Sequence, residues 1–267
     1  MSFLRKILLI LWRCWFYILA GVPVVILFPI LAIALLFADG YKVVYWIARN
    51  IWAPIILFGM GFYVRKKYFH PPLGPQSHLY IANHTSYIDP FVMLRLWKRP
   101  SVFVGKMELV KIPIFGYLYK RAVIMVDRSD AKSRKAVYGL ANKALAEGYG
   151  VVIFPERHYE EEQILLNDFK RGAFKLAVDH QLPIVPMVFY DCKRKFPWYT
   201  SYGYPGELRA YSYPSIPTTG LTENDIPELQ KEAHAFIEQK LLEDPKQMGE
   251  KAVQKWLNIS SRASKVA

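Results

Sequence analysis

The sequence predicts an α/β fold, with a mixed, largely parallel sheet flanked by helices and preceded by an N-terminal membrane-embedded helical hairpin. Three observations predict it. Short apolar runs at 79–82, 101–104, 122–126, 150–154 and 184–189 have the length of buried strands. Helical patterns near 87–97, 130–147 and 170–180 fall between them, the alternation that covers both faces of a parallel sheet. Ahead of these elements, an apolar excess is concentrated in the first 64 residues, in a chain that is 53% apolar and 15% aromatic.

Cys14 to Ala38 is an uncharged stretch of 25 residues. As a helix it measures roughly 37 Å, enough to cross a hydrocarbon core of about 30 Å with some tilt. Arg5, Lys6 and Arg13 also match the basic start of a signal peptide. The run is longer than a signal's apolar region, however, and no small-x-small cleavage site precedes Asp39, so an anchor is expected. A second apolar segment, Val43 to Val64, contains Arg49 and Pro54; it either spans, or lies in one leaflet with Arg49 reaching the headgroups. Asp39-Gly40 is the turn between the two segments, and Gly21, Pro23 and Pro29 are equally compatible with a kinked, half-inserted hairpin. Basic residues before the first segment and Arg65-Lys66-Lys67 after the second put both ends on the cytoplasmic side. The expectation is an integral protein of the cell inner membrane whose remaining domain faces the cytoplasm.

A turn-rich linker from His70 to Ser77 separates this anchor, residues 1–70, from a second domain over 71–267. Within that domain Ala131 to Glu147 is the clearest helix. Ala136, Val137, Leu140, Ala144 and Leu145 form its apolar face, and Gly148 sits where a C-terminal cap belongs. A strand near 207–213 and helices near 222–242 and 245–260 complete the chain.

The formal net charge is +13, and residues 1–70 carry eight Lys and Arg against Asp39 alone. More than half of the excess therefore borders apolar segments, which favours membrane lipids and phosphorylated small molecules as partners over nucleic acid. Cys14 and Cys192 are too few and too distant for a disulfide framework. The six histidines show no zinc-type spacing, so neither metal nor cofactor is expected.

The strongest chemical constellation is Asn83-His84-Thr85-Ser86-Tyr87-Ile88-Asp89, directly after the apolar run 79–82. A strand ending there puts His84 on a loop at the C-terminal edge of the sheet, where open α/β folds hold their sites. With Ser86 capping the next helix, Asp89 falls in the first turn and can fold back to the imidazole. A carboxylate accepting the Nδ1 proton leaves Nε2 free as a general base. Ser86-x-x-Asp89 is equally an ordinary capping box beside a solvated histidine.

Three further segments bear on that choice. Lys106-Met107-Glu108-Leu109 and Pro113-Ile114-Phe115-Gly116 lead to Arg128; Phe154-Pro155-Glu156 and Val185-Pro186 follow. In this order and spacing, residues 79–189 resemble the glycerolipid acyltransferase family, whose blocks are N-H-x-x-x-x-D, an arginine after K-x-E-L and P-x-x-G, F-P-E, and a V-P strand. The resemblance implies an acyltransferase domain over 71–267 with His84 and Asp89 catalytic. It implies substrate-binding roles for Asn83, Lys106, Arg128, Glu156 and Arg157, with the Arg128 guanidinium and Lys106 on the acceptor's phosphate. The implied reaction moves a fatty acyl group from acyl-CoA or acyl carrier protein to the hydroxyl of a lysolipid. The implied acceptor is 1-acyl-sn-glycerol-3-phosphate, giving phosphatidate for phospholipid synthesis. A thioester is already activated, and the chain fittingly has no G-x-S-x-G elbow.

One block departs from the family. Its F-P-E usually continues G-T-R-S, whereas here Arg157-His158-Tyr159-Glu160 follow. Arginine replaces a conformationally free glycine, and the usual arginine position is Tyr159. Arg157, Lys170 and Arg171 are the available substitutes for the lost cation. The departure opens two alternatives: an acceptor that is another lysophospholipid or an amine-bearing lysolipid, and a non-catalytic membrane lipid-binding protein on the same fold.

Overall fold

The computed structural model describes residues 3–126, 131–156, 164–200 and 202–246. It opens with the hairpin. Helix α1, Phe3–Ala34, starts well before the expected segment because Arg5, Lys6 and Arg13 lie on the helix rather than ahead of it. It is the one described helix long and apolar enough to cross a membrane by length and composition. The return run comprises α2, Gly40–Ile47, a π-helical turn, Ala48–Trp52, and α3, Ala53–Gly59. Pro54 accounts for the π turn. It has no N–H to offer the carbonyl of Asn50 and its ring crowds that turn, so the helix widens and Ala53 N–H bonds back to Ala48. At the hairpin corner a β-carbon on Gly40 would collide with the carbonyl of Ala34.

The two arms of the hairpin are tied to each other and packed onto the sheet. Trp52 Nε1 donates to the carbonyl of Ala20 at 2.9 Å, Trp12 Nε1 to that of Met60 at 3.3 Å, and Phe16, Ile56 and Leu57 are buried in the same cluster as sheet residues. The opposite face of α1 carries exposed Leu8, Leu11, Trp15, Ile18, Val22, Ile26 and Ile33.

After Gly61, which takes a positive φ of 76° that favours glycine, the chain enters β1, Phe62–Tyr68. This corrects the expected second apolar segment to 64: its helical part ends at Gly59, and Arg65-Lys66-Lys67 lie on a strand. Phe62 and Val64 point inward and Tyr63 and Arg65 outward, so the apolar run of α3 continues into an alternating strand without a composition break. Pairing with a strand far along the chain is what makes it one.

Strands β2 (Leu79–Ala82), β3 (Ser101–Lys106), β4 (Val123–Val126), β5 (Gly150–Ile153), β6 (Ile184–Phe189) and β7 (Gly206–Ser212) complete a seven-stranded sheet in the order β1-β7-β6-β2-β5-β3-β4. The β6-β2-β5-β3-β4 block is parallel, β7 runs antiparallel to β6, and β1 runs parallel to β7. Helix α4, Asp89–Leu96, packs on the face that Tyr80 and Met187 share with the hairpin. Helix α5, Phe115–Ala122, precedes β4 and was not foreseen. Helices α6 (Ala131–Ala146), α7 (Arg171–Asp179) and α9 (Ile226–Leu242) belong to the opposite face, and the single turn α8 is Cys192–Lys195. Among the described side chains of α6, Ala144 and Leu145 of the expected face pack on the core together with Ala141, while Leu140 is 45% exposed. Residues 247–260 of the expected last helix lie outside the described residues.

The connection from β2 to β3 passes through α4 on one face, and that from β5 to β6 through α7 on the other. Since β2 and β5 are neighbours, a crevice opens between their C-terminal ends.

Candidate active site

Both sequence segments singled out for chemistry emerge into that crevice. His84 follows β2, and Phe154-Pro155-Glu156 follow β5. The imidazole stacks on the ring of Phe154, with centroids 4.1 Å apart and planes 20° from parallel. The indole of Trp198 meets it edge-on at 4.5 Å. The two aromatics leave the ring one open side, and the His84 side chain is 28% exposed.

Asp89 is fully buried at the first turn of α4. Its Oδ2 lies 2.9 Å from His84 Nδ1 and accepts the backbone N–H groups of Thr85 and Ser86, each at 2.8 Å. The same Oδ2 makes the dyad contact and the return half of the expected capping box. The other half is absent, since α4 is capped at Ile88 without a side-chain bond and the Asp89 N–H goes to the Ser86 carbonyl. A carboxylate oxygen already receiving two N–H bonds can only accept from Nδ1, so the Nδ1 tautomer is enforced and Nε2 carries the lone pair. Nε2 has no hydrogen-bond partner among the described residues. Ser86 ties the loop down from the other side, through Oγ to the carbonyl of Phe196.

Two of the residues expected to bind substrate, Asn83 and Glu156, are engaged by the fold itself. The amide of Asn83 is buried, donating to the carbonyl of Phe189 at 3.0 Å and accepting its N–H at 2.8 Å, which staples the end of β2 to the end of β6. Glu156 is buried with both oxygens engaged. Oε1 accepts the backbone N–H of His84 at 2.5 Å, and Oε2 accepts the backbone and side-chain N–H groups of Asn167 at 3.0 and 3.2 Å. Every polar atom of both side chains has a partner in the fold, and each side chain positions the loop that holds His84. Burial pushes the Glu156 carboxyl up to about 7, while the donors from Asn167 and His84 pull the other way.

Lys106 ends β3 on the same edge as His84 and is exposed, with no carboxylate partner among the described residues. Arg128 and Arg157 lie outside the described residues. Lys170 stands at the start of α7 with its backbone N–H on the carbonyl of Pro155, which brings an exposed cation to this edge. Arg171 instead pairs with Glu223 at 2.8 Å. Sequence reasoning missed Trp198 and the stacking role of Phe154, because nothing local marks a residue that reaches His84 from 70 or more positions away, and it missed Asn167, which acts through Glu156. Cys192 lies beneath the dyad; burial and the Asp89 carboxylate push its thiol well up, so it is no nucleophile. Among the described residues no His, Cys, Asp and Glu group could hold a metal ion.

A family described as Acyltransferase matches residues 65–190. The human 1-acyl-sn-glycerol-3-phosphate acyltransferase beta is 33% identical over 162 residues, covering 58% of this chain and 56% of that protein. The 1-acyl-sn-glycerol-3-phosphate acyltransferase of Salmonella typhimurium is 28% identical over 200 residues, covering 73% and 78%. The crystal structure of a 1-acyl-sn-glycerophosphate (LPA) acyltransferase, PlsC, from Thermotoga maritima is similar in fold, with a TM-score of 0.73 and 19% identity over 89% of this chain and 96% of that one. The chain spans about 56–61% of the length of the human relatives it matches.

Proposed function

We propose that this chain, which is similar to acyltransferases over residues 65–190, transfers a fatty acyl group from a thioester to the hydroxyl of 1-acyl-sn-glycerol-3-phosphate. The observation that carries the reading is the His84–Asp89 pair, with Nδ1 held and Nε2 open to the crevice. Nε2 takes the proton of the acceptor hydroxyl as its oxygen bonds to the thioester carbonyl carbon. The carbon–sulfur bond then breaks, and the departing thiolate takes the proton back from the imidazolium. General-base assistance of this kind contributes about 10²–10⁴ in rate. Lys106 and Lys170 flank the crevice as cations for the acceptor's phosphate, with acyl-CoA or acyl carrier protein as donor and no cofactor.

The hairpin supports a membrane seat for the same reading. One side of α1 is packed into the domain and the other is an apolar stripe, so lipid can reach the stripe without surrounding the helix. We read it as lying in one leaflet, where a lysolipid meets His84 from the bilayer while a thioester comes from the aqueous side.

The test incubates the purified full chain with labelled acyl-CoA or acyl carrier protein and a panel of lysolipids, reading products by mass spectrometry. Phosphatidate formed from the phosphate-bearing acceptor is the expected result. Product from a different lysolipid alone would move the acceptor assignment, consistent with the altered residues 157–160. No product with any pair would overturn acyl transfer in favour of lipid binding.

A further inference from the structure

At the opposite edge of the sheet, where β3 and β5 begin, the hairpin and the loops enclose a cleft of about 510 Å³. Tyr45, Trp46, Arg49, Lys98 and Tyr149 are among its lining, and Glu147 is the one carboxylate among the described lining residues. Arg49 is fixed in place, with Nε donating to the carbonyl of Trp97 at 2.6 Å. Its own carbonyl, inside the π turn, accepts Arg95 at 2.7 Å. Lys66, on β1, stands outside the lining but close enough to Arg49 and Lys98 to feel their charge. Its ammonium is lowered by burial and then by Arg95, Arg49 and Lys98, which means the four cations feel one another. None of the four is in an ion pair with a carboxylate among the described residues. Folding has gathered like charges that no carboxylate among the described residues pairs with, a cost that an anion would relieve.

We propose that this cleft binds the phosphate of an anionic phospholipid headgroup, at a lipid site separate from His84. The surroundings favour a lipid over a free anion. Exposed Trp46 and Val43 border the cleft on α2, and exposed Leu36 and Phe37 form the adjoining corner of the hairpin. A phospholipid satisfies both halves, with its phosphate on the cations and its acyl chains along this apolar corner. The indole at the boundary suits the interface between them. The apolar stripe of α1 runs from the His84 edge to this one, so the site would seat the far end of the hairpin on an anionic leaflet.

The test compares wild-type protein, Lys66→Gln/Lys98→Gln, and the charge-matched Lys143→Gln/Lys231→Gln, whose positions lie on α6 and α9. Each is titrated with phosphatidylcholine vesicles with and without about a quarter phosphatidylglycerol. The cleft variant should lose about 30-fold in affinity for the anionic vesicles, as two lysines each worth about 1 kcal/mol imply, and the control should lose little. In low salt without lipid, the cleft variant should melt no lower than wild type, since repulsion has been removed. Equal losses in both variants would mean diffuse attraction and overturn the site. Thermal protection of wild type by inorganic phosphate, with no preference for anionic vesicles, would overturn the lipid assignment.

Discussion

Glu156 Oε1 accepts the backbone N–H of His84 at 2.5 Å, joining the loop after β5 to the loop after β2 across the crevice between those strands. The imidazole is thus held by its own main chain as well as by its ring contacts. Substitutions at Glu156, His84 and Asp89 test that arrangement, and one at Arg209 tests the fold that carries it.

Glu156→Gln should lower turnover by about 10²-fold, because its amide would face the Asn167 donors and let the His84 loop shift. It should also change the pH dependence of stability. The wild-type carboxyl titrates near 7 when folded and near 4.5 when free, so the folded chain retains a proton that the unfolded chain has lost. Stability from this group therefore falls as pH rises through that window, by about 3 kcal/mol in all, and is level below it. Melting curves of the variant between those pH values should be flatter than those of wild type. An unchanged slope would remove Glu156 as the titrating group.

His84→Ala should abolish acyl transfer, losing at least the 10²–10⁴ or so attributable to a general base, while still sedimenting with vesicles. Full turnover in the purified variant would end the proposed mechanism.

Asp89→Asn can keep an oxygen on the three N–H groups, which all meet Oδ2, but it removes the negative charge that stabilises the imidazolium. A fall of about 10²–10⁴ in kcat is expected, with little change in the acceptor's KM. A rise in KM at constant kcat would assign Asp89 to binding instead.

Arg209→Ala should destabilise the fold by about 3–5 kcal/mol without touching the crevice. Its guanidinium donates to Asp191 at 2.8 and 2.9 Å and to Asp244 at 2.7 Å, and all three side chains are buried. Burial works to raise the Asp191 carboxyl, and the Arg209 hydrogen bonds outweigh it, holding the group below its usual range. Its contribution is present above its unfolded pKa and is lost as pH falls through the lower folded value. Denaturant unfolding of the variant at neutral pH measures the loss; a change under about 1 kcal/mol would make the network peripheral.

The parallel strands were legible because each is a short apolar run bounded by turn residues, and 79–82 and 184–189 match β2 and β6 residue for residue. The pair His84 and Asp89 was legible because it lies within one turn of chain, where spacing alone constrains geometry. Strand β1 was not, since its apolar start continues that of α3 and its partner β7 begins at Gly206. Asn83 and Glu156 were visible as motif positions, but their work was not. Whether a polar side chain faces a ligand or a main-chain donor depends on what the fold places opposite it.

By itself the sequence determined the apolar N-terminus, the alternation of strands and helices, and the histidine and carboxylate five residues apart, all consequences of local composition and short-range spacing. Only the tertiary structure decided that β2 and β5 are neighbours, that Phe154, Trp198 and Glu156 close around one imidazole, and that four cations share the far edge. Those relationships join residues tens to more than a hundred positions apart. Their distances are set by strand order and packing, which no local pattern records.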